Sequence, residues 1–426
     1  MRNVSSRSTQ HSDVLIVGGG VIGVACAYYL AGGGLSVRII ERETMGAGAS
    51  HGNCGLIFPS DLLPLCAPGA VATELKRTLL GTSPLYIKPR LDPGLALWLL
   101  RFAANCTPHL LEPAVRAKDA LMRLSDELFT DLWATEELAC DAEHNGVLMA
   151  FRDPAALAAY EKTNRLLAPF GRAATFFDRE AVRRLEPALS DGVCGGWHHP
   201  AESHLRPDRL MDAWTRVVRD RQVMINEGCR LTQIRRRNRR VVAVDTDAGP
   251  LTADRIVLAA GAWTAALARQ MGIRIPVVPG KGYSITMTRP ALCPSMPCYL
   301  YEPNVVVTPW QSGYRIGGTM EFSGFDQELD TRRLKKLETA AAKYLRQPMG
   351  PQVTERWTGL RPMCSDDLPI IGRAPAVDNL YLATGHGMLG VSTATGTGRL
   401  IADMILDRQP SIPPAPYAVD RFRIGG

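Results

Sequence analysis

The hydrophobic pattern near the start of the chain changes its period within a short stretch. A β-branched run, Val14–Val17, is typical of a buried strand. It leads into a glycine-rich turn, Gly18–Gly23, and then into Val24–Leu30, whose apolar residues are typical of a helix. A second strand-like segment, Ser36–Ile40, ends directly before the acidic residue Glu41. The pattern predicts a strand–turn–helix–strand unit of the kind that builds parallel sheets.

Each glycine of this turn has a physical task in nucleotide binding. Gly18 allows a tight turn, Gly20 allows the backbone to approach a pyrophosphate, and Gly23 allows the helix to pack against the strand. The N–H groups at the start of the helix then bind the anion. Glu41 accepts hydrogen bonds from ribose hydroxyls and repels a 2′-phosphate, which favours FAD or NAD over NADP. The residues predicted to contact the nucleotide are Gly18, Gly20, Val21, Ile22, Gly23, Glu41 and Arg42.

The same stretch also approaches the length of a membrane span. Residues 14–35 carry no charge, but they include seven glycines in two clusters. The acidic and basic residues that follow do not fit a signal-peptide cleavage site. Residues 1–12 are polar and rich in serine and arginine, and we interpret them as a flexible tail. We therefore expect a cytoplasmic protein.

Composition agrees with an ordinary globular protein, because the 426 residues are 46% hydrophobic and 21% charged. The ten cysteines form no CxxC pair and no cluster with histidine at metal-ligand spacing, so we expect reduced thiols and no metal. The densest basic run, Arg235–Arg240, lies between two strand-like segments and lacks interleaved aromatic residues. We interpret it as a solvated hairpin turn rather than a nucleic-acid or lipid patch, and we expect no nucleic acid partner.

Turns of the nucleotide-binding type occur near both ends of the chain and once in the middle, where the apolar strand Ala253–Ala260 meets a glycine. This arrangement predicts an α/β fold with a discontinuous Rossmann-like domain. Its insertions, strand-rich in their second part, predict an α+β second domain with an antiparallel sheet. The predicted nucleotide domain comprises residues 13–60, 204–272 and 356–426, and the predicted substrate domain comprises residues 61–203 and 273–355.

Two segments of small residues extend the predicted nucleotide site. The first reads Ala49-Ser50-His51-Gly52-Asn53-Cys54-Gly55, where small side chains allow the backbone to reach a flat ring and its phosphates. A histidine in such a loop can also attach covalently to a flavin, an alternative that we keep for His51. The second is a strand end that places its backbone against adenine and ribose. The residues predicted to contact the cofactor here are Ser50, His51, Gly52, Asn53, Gly55, Ala260 and Gly261.

The C-terminal region supplies a cation and a further glycine-rich turn. Arg361, between a tryptophan and prolines, is suited to a bidentate bond with a carboxylate, and its alternative is an ion pair with Asp366 or Asp367. The turn Gly385–Gly390 is predicted to open the last helix, so that its N–H groups face the electron-rich edge of a reduced flavin. Cofactor contacts are predicted for Gly387, Met388, Leu389 and Gly390.

Together these segments resemble a known family. GGGVIG with its acid, SHGNCGLI, the AAGAW strand end, WTGLRPMCSDDLPIIGRAP and NLYLATGHGMLG are similar to the FAD-dependent amine oxidoreductases of the D-amino-acid oxidase family. Bacterial D-amino-acid dehydrogenases are the most similar branch, and glycine oxidase and sarcosine oxidase are more distant. The resemblance extends from Asp13 to Leu406 and implies FAD, a two-domain fold and oxidation of an amino-acid C–N bond. His51 and Cys54 depart from the pattern expected of the dehydrogenases.

The implied reaction is oxidative deamination of a D-amino acid, with proline or hydroxyproline as candidate substrates. A neutral amine donates its lone pair as the α-hydrogen leaves as hydride to flavin N5, and the imino acid then gives a 2-oxo acid and ammonia. We predict that Arg361 anchors the carboxylate and that Tyr283 is a second donor to it. His386 is predicted beside the flavin, where it tunes the ring or orients the substrate, and its alternative is a structural hydrogen bond. The alternatives are Tyr299, Tyr301 and Tyr314 for the tyrosine, and Arg315 and Arg373 for the arginine.

The sequence leaves the partners of this reaction open. The electron acceptor is a quinone or O2, and a quinone would bring the protein into peripheral contact with the inner membrane. One alternative function is a glycine- or sarcosine-type oxidase that uses O2, and another is a non-catalytic flavoprotein subunit. Both a homo-oligomer and a hetero-oligomer are compatible with the sequence.

Overall fold

The computed structural model describes residues 10–79 and 83–422. Its strands form two large sheets, and helices pack against them. The strands are β1 (His11–Val17), β2 (Val37–Ile40), β3 (Leu56–Ile57), β4 (Leu85–Ile87), β5 (Val147–Phe151), β6 (Thr175–Asp178), β7 (Gly195–His199), β8 (Ser203–His204), β9 (Met224–Asn226), β10 (Leu231–Arg237), β11 (Arg240–Thr246), β12 (Gly249–Leu258), β13 (Val277–Met287), β14 (Cys298–Leu300), β15 (Val305–Trp310), β16 (Gly313–Phe322), β17 (Val353–Cys364), β18 (Ile370–Arg373) and β19 (Leu380–Thr384). The helices are α1 (Val21–Gly32), α2 (Ala70–Leu79), α3 (Pro93–Asn105), α4 (Pro108–Thr135), α5 (Pro154–Leu167), α6 (Arg179–Leu185), α7 (Pro207–Asp220), α8 (Thr264–Arg269), α9 (Thr331–Tyr344) and α10 (Ala394–Ile405).

Five parallel strands form the centre of the first sheet, in the order β9–β2–β1–β12–β19. Strand β18 pairs antiparallel with β19, and the β10–β11 hairpin pairs with the beginning of β12. All of β2 and the last four residues of β1 are buried, as expected for a parallel sheet covered on both faces. The predicted Rossmann-like sheet is confirmed.

The second sheet has nine strands, in the order β17–β13–β16–β15–β14–β5–β7–β6 with β4 beside β16. Its pairs are antiparallel except β5–β14 and β4–β16, which are parallel. Helix α9 covers one face, where Leu334 and Leu337 share a core with Ile285 and Ile316. The opposite face of β13, β16 and β17 borders a cavity, so this sheet forms one wall of the site described below.

Two segments pack with a different domain from the one that the sequence predicted for them. Helix α4 lies in a segment predicted for the second domain, yet its Leu121 and Phe129 share a core with Val24 of α1. Strand β17 begins at Val353 and pairs with β13, so the boundary predicted at residue 356 falls inside a strand of the second sheet. We therefore propose the discontinuous two-domain division with α4 in the first domain and all of β17 in the second.

The first strand begins at His11, inside the segment that was predicted to be a tail. His11 and Ser12 pair with Thr252 and Ala253, whereas residues 1–9 of the predicted tail lie outside the described residues. The basic run Arg235–Arg240 is exposed at the end of the β10–β11 hairpin, as predicted. Over residues 10–79 and 83–422, no helix has the length and apolar character that crossing a membrane requires.

Candidate active site

A cavity of about 1340 Å³ lies between the glycine turn of the first sheet and the inner face of the second. Ligand pockets for small molecules are typically about 300–1,000 Å³, so this cavity has room for a dinucleotide and a small substrate. Two predicted contact residues, Gly23 and His51, do not border it. The predicted residues that border it are Gly18, Gly20, Val21, Ile22, Glu41, Arg42, Ser50, Gly52, Asn53, Gly55, Ala260, Gly261, Tyr283, Arg361, His386, Gly387, Met388, Leu389 and Gly390.

The glycine turn after β1 has the geometry that its sequence requires. Gly18 has a φ of +114°, and a Cβ there would lie 2.5 Å from the carbonyl oxygen of Ala259. A Cβ on Gly23 would lie 2.0 Å from the carbonyl oxygen of Gly18, so Gly23 acts by close packing of α1 rather than by ligand contact. Gly20 has only the Ser50 hydroxyl near it, at 3.2 Å from an added Cβ, which leaves room for an anion at the start of α1.

The carboxylate of Glu41 lies just after β2 and borders the cavity. It accepts the N–H of Gly19 at 2.7 Å and the N–H of Glu43 at 3.0 Å, which fixes its orientation. Each oxygen retains acceptor capacity for a hydroxyl group. The guanidinium of Arg42 lies 3.8 Å from the ring centroid of Trp263. This end of the cavity therefore offers an acid for ribose hydroxyls beside a flat aromatic surface.

The loop after β2 bends back over the start of α1. The Ser50 hydroxyl accepts the N–H of Val21 at 2.9 Å and so satisfies one of the open donors of the helix. The amide of Asn53 donates to the Ser50 carbonyl at 3.0 Å and stabilises the bend. Gly52 has no room for a side chain, because a Cβ would lie 2.1 Å from the Trp357 ring. The loop is therefore held tightly between α1 and β17.

The side chain of His51 is not placed for a flavin contact, which corrects the prediction. Its Nε2 lies 2.7 Å from Oε1 of Glu355 on β17. This hydrogen bond raises the pKa of His51 and lowers the pKa of Glu355, so it favours the charged form of each side chain. The ring is engaged in an ion pair outside the cavity lining, and covalent attachment of a flavin to His51 is not supported.

A buried arginine on β16, Arg315, donates hydrogen bonds to the backbone of the same loop. Its Nη1 donates to the carbonyls of His51 at 3.0 Å and Asn53 at 2.8 Å. Its Nη2 lies 3.6 Å from a carboxylate oxygen of Asp208 and 3.7 Å from one of Glu355. These contacts satisfy the guanidinium within the protein, so Arg315 supports the loop and is not the substrate anchor. The sequence pattern gave no sign of this role.

Arg361 presents its guanidinium to the cavity from β17. A Cβ on Gly282 of β13 would lie 2.3 Å from the guanidinium atoms, so that glycine makes room for the side chain. One Nη donates to the carbonyl oxygen of Thr319 at 2.8 Å, which orients the fork. Burial lowers the pKa of Arg361, although a guanidinium stays charged in proteins. The cation is therefore fixed in position and shielded from bulk solvent.

The alternative ion pairs of Arg361 do not form. Asp366 pairs with Arg421 at 2.8 Å, and Asp367 pairs with Lys118 at 3.0 Å. Within the described ranges 10–79 and 83–422, no carboxylate lies within 4.0 Å of the guanidinium nitrogens of Arg361. Its remaining N–H groups are available to an anionic ligand in the cavity. Arg373, the other alternative anchor, is exposed beside Asp378 and does not border the cavity.

Tyr283 is not available as a second donor, which corrects another prediction. Successive side chains of a strand point to opposite faces, and Gly282 faces Arg361, so Tyr283 points to the other face of the sheet. There its hydroxyl donates to Oε2 of Glu321 at 3.0 Å, and its ring packs in the core with Leu334 of α9. Burial raises the pKa of Tyr283. Although Tyr283 borders the cavity, its ring belongs to the core of the second sheet and its hydroxyl is already bonded to Glu321.

Among the alternative tyrosines, Tyr299 and Tyr301 border the cavity, whereas Tyr314 is buried in the core of the second sheet. The hydroxyl of Tyr299 donates to Oδ1 of Asn304 at 3.0 Å. The Asn304 carbonyl oxygen would lie 2.7 Å from a Cβ on Gly318, and the carbonyl of the next residue, Thr319, accepts from Arg361. Tyr299 therefore lies on the side of the cavity that contains Arg361.

The C-terminal turn reaches the cavity but does not open a helix directly, contrary to the prediction. Gly385 and Gly387 have φ values of +78° and +55°, which permit the tight bend. Helix α10 begins only at Ala394. The N–H of Thr393 donates back to the carbonyl of Leu389 at 2.9 Å, so a separate turn precedes the helix. Within this turn the N–H groups of Gly387 and Leu389 already donate to the carbonyls of Pro362 at 3.0 Å and His386 at 2.9 Å.

The side chain of His386 has a structural partner, and a catalytic role is not supported. Its Nε2 lies 2.9 Å from the hydroxyl of Thr397 on α10. Burial lowers the pKa of His386 to about 3, so the ring is neutral at physiological pH. The hydrogen bond instead keeps the glycine-rich turn against the first helical turns of α10.

The cavity wall also carries an acid that the sequence pattern did not indicate. Asp61 follows β3 and borders the cavity with its neighbour Ser60. No spacing marks Asp61 as a ligand-binding residue. The only signal is that a single acid stands in the apolar run from Phe58 to Leu65.

Comparison with known proteins identifies the family. Residues 13–404 match the family described as "DAO: FAD dependent oxidoreductase", and the chain belongs to this family. A D-amino acid dehydrogenase from Methylobacterium sp. (strain 4-46) is 36% identical over 427 residues, spanning 96% of this chain and 99% of the relative. The D-amino acid dehydrogenase of Xanthobacter autotrophicus (strain ATCC BAA-1158 / Py2) is 34% identical over 422 residues, spanning 96% of this chain and 99% of the relative.

Solved structures share the fold. Glycine oxidase from Geobacillus kaustophilus has a TM-score of 0.77 at 22% identity, covering 98% of this chain and 100% of its own. L-Proline dehydrogenase from P. horikoshii has a TM-score of 0.75 at 18% identity, covering 97% of this chain and 98% of its own. FAD, predicted from the sequence, is the cofactor of the family. The open space at Gly20, the start of α1 and the carboxylate of Glu41 all fit this cofactor.

Proposed function

We propose that the protein catalyses the FAD-dependent oxidative deamination of a D-amino acid to a 2-oxo acid and ammonia. The observation that carries the proposal is Arg361, a cation with no carboxylate partner in the described part of the chain, on the wall of a cavity that also contains the nucleotide-binding turn. The relatives named D-amino acid dehydrogenase match nearly the whole chain, which supports this substrate class.

We propose that the first sheet holds FAD. The N–H groups at the start of α1, beside Gly18 and Gly20, would bind the pyrophosphate, and Glu41 would bind the ribose. The loop 50–55 and the turn 387–390 border the part of the cavity next to β17 and would contact the ring. When bound, FAD supplies the acceptor for the two electrons and the α-hydrogen of the substrate.

Arg361 would bind the substrate carboxylate through two parallel N–H···O bonds. Because the Thr319 carbonyl orients the fork, the carboxylate and the α-carbon attached to it are held in one geometry. The α-amine must lose a proton before its lone pair forms the C=N bond while the α-C–H bond breaks. Trp357 and Met363 line the cavity near the anchor and reduce access of water to the reacting bond.

We further propose that a quinone accepts the electrons, because the relatives are named dehydrogenases rather than oxidases. A quinone dissolved in lipid requires the protein to approach the inner membrane from the cytoplasm. Reoxidation of the reduced protein by a soluble quinone should then be faster than reoxidation by O2. Faster reoxidation by O2 would instead support the oxidase alternative.

The proposed function is tested by anaerobic reduction of the bound FAD. The panel contains D- and L-enantiomers of several amino acids, including proline and hydroxyproline, together with glycine and sarcosine. We expect D-enantiomers to bleach the flavin absorbance and L-enantiomers to leave it unchanged. Bleaching by glycine or sarcosine alone would favour the oxidase, and no bleaching by any of these amines would favour a non-catalytic flavoprotein.

A further inference from the structure

A second charged group borders the cavity, and it too lacks a partner. The carboxylate of Asp61 makes no hydrogen bond or ion pair with the part of the chain that the structure describes, although the Asp61 N–H donates to the Phe58 carbonyl at 3.0 Å. Burial raises the pKa of Asp61. A carboxylate that is withdrawn from water and left unpaired is costly unless a ligand satisfies it.

No cation lies within ion-pair distance of the Asp61 carboxylate in the described part of the chain. The Nζ of Lys118 donates to the Leu63 carbonyl at 3.3 Å and pairs with Asp367 at 3.0 Å, so this cation is already engaged. Burial raises the pKa of Glu202, which bonds to the neighbouring Ser60, to about 8. Glu202 is therefore mostly neutral at pH 7 and adds little charge. Asp61 is therefore the acid left without a partner among the described residues, and a cationic ligand group would stabilise its carboxylate.

Aromatic side chains line the cavity beside the Asp61 segment, where the hydroxyl of Tyr160 bonds to His199 and the His199 ring lies 5.5 Å from that of Phe58. Tyr160, Tyr299 and Tyr301 all border it, and the rings of Tyr160 and Tyr301 lie 5.8 Å apart at right angles. The hydroxyls of Tyr160 and Tyr299 are already bonded to His199 and Asn304. What these tyrosines offer a ligand is therefore their ring surface, which attracts ammonium and guanidinium groups.

Asp61 and Arg361 border the same cavity from different elements. Asp61 lies in the loop after β3, whereas Arg361 lies on β17 of the second sheet. Tyr299, on β14, borders the cavity with them. A substrate whose carboxylate binds Arg361 keeps its α-amine beside that arginine, so only its side chain extends toward Asp61.

Building on the function proposed above, we propose that Asp61 selects D-amino acids whose side chain ends in a cation, such as D-lysine and D-arginine. The carboxylate would bind the side-chain ammonium or guanidinium, and the tyrosine rings would surround its aliphatic stem. The two unpaired charges of the cavity are thereby matched to the two ends of one substrate.

The first test compares D-lysine with D-norleucine, which has the same carbon chain without the terminal amine. We expect wild-type kcat/KM to favour D-lysine by about ten- to a hundredfold, the effect of one charged hydrogen bond. Asp61→Asn should remove this preference by slowing D-lysine and should leave D-norleucine nearly unchanged. Glu112→Gln, which removes an exposed charge on α4, is the matched control and should keep the preference.

Equal loss for both substrates in Asp61→Asn would overturn the proposal, because Asp61 would then act on the α-amine or on the fold. No preference for D-lysine in the wild type would overturn it as well. In either case, reduction of FAD by D-amino acids would leave the proposed function standing.

The second test measures binding without oxidation. 6-Aminohexanoate and hexanoate both carry the carboxylate for Arg361, differ by the terminal amine, and have no α-amine to oxidise. Titration calorimetry of the FAD-loaded protein should show tighter binding of 6-aminohexanoate, by about tenfold or more, in wild type but not in Asp61→Asn. This result without any reduction by D-amino acids would support the cation site and contradict the proposed function. Equal binding of both compounds by the wild type would contradict the cation site.

Discussion

The two walls of the cavity are built in different ways. On the first sheet, the turn at Gly18–Gly23 and the carboxylate of Glu41 come from one short segment, and glycine backbone defines the surface. On the second sheet, Arg315 and Arg361 lie on separate strands, and their different partners decide what each can do. Backbone shape is encoded locally, whereas the function of a buried side chain depends on residues distant in sequence.

The largest effect is expected on the first wall, where one added methyl group should prevent FAD binding. In Gly23→Ala the new Cβ would lie 2.0 Å from the carbonyl oxygen of Gly18, so the backbone turn must move. We expect the purified variant to lack the flavin absorbance of the wild type. Gly32→Ala, in the same helix, is the control, because its Cβ would meet only the flexible end of Arg221 at 3.0 Å. Normal FAD content in Gly23→Ala would show that the turn tolerates displacement.

The second effect concerns an arginine that joins the two walls. Arg315→Ala removes the donors to the loop carbonyls and leaves Asp208 and Glu355 without their buried cation. Asp208 keeps Arg206 and Glu355 keeps His51 as partners, so we expect a loss below the about 3–5 kcal/mol that an unpaired buried charge costs. We expect a clearly lower midpoint of thermal unfolding, which calorimetry measures. The exposed Arg373→Ala should change the free energy of unfolding by less than about 0.5 kcal/mol. Similar midpoints for the two variants would contradict a supporting role of Arg315.

The sequence could predict the first wall because its signals are local. Gly18, Gly23 and Glu41 follow a fixed spacing around a strand and a helix, and each lies where that spacing requires. The same reasoning could not decide which face of β13 Tyr283 occupies. That choice depends on the pairing of β13 with β17, which is set by contacts across the sheet.

The errors at His51 and His386 have a related cause. Both residues lie in glycine-rich segments that border the cavity, but His51 itself does not border it, and both side chains bond to protein groups instead. The partner of His51 is Glu355, and the partner of His386 is Thr397 on the following helix. A pattern of small residues predicts where the backbone approaches a ligand, but it does not predict where one side chain in that pattern points.

The third effect tests the second wall directly. Arg361→Ala should retain FAD, because no predicted FAD contact is removed, but it should lower kcat/KM for a D-amino acid by roughly a hundredfold. A charge-assisted bidentate pair in a site shielded from water is worth about 3 kcal/mol. Arg361→Lys should recover only part of this loss, since an ammonium group cannot reproduce the planar fork. Steady-state kinetics at matched FAD content measure both variants.

The outcome at Arg361 also sharpens the contrast with Arg315. The unfolding midpoint of Arg361→Ala should stay close to that of the wild type, because this guanidinium has only the Thr319 carbonyl as an oxygen acceptor within the described residues. A large loss of thermal stability with unchanged kcat/KM would identify Arg361 as structural and remove the main support for the proposed function.

The smallest effect is expected at the ion pair of His51 and Glu355, which connects the loop of the first wall to β17. The lowered pKa of Glu355 means that its contribution to stability is present above its ordinary value of 4.5 and is lost as the pH falls through the lowered value. The raised pKa of His51 means that its contribution is present below 6.5 and is lost as the pH rises through the raised value. The pair should therefore stabilise the protein most between pH 4.5 and 6.5. Because both side chains are 34% exposed, solvent screening limits the gain to less than about 1 kcal/mol.

The variant His51→Gln tests this pH dependence, because glutamine keeps a hydrogen-bonding side chain but cannot become charged. The difference in unfolding midpoint between wild type and variant should be largest between pH 4.5 and 6.5 and should shrink at alkaline pH. A difference that does not change with pH would show that the contact between the two walls depends on packing rather than on charge.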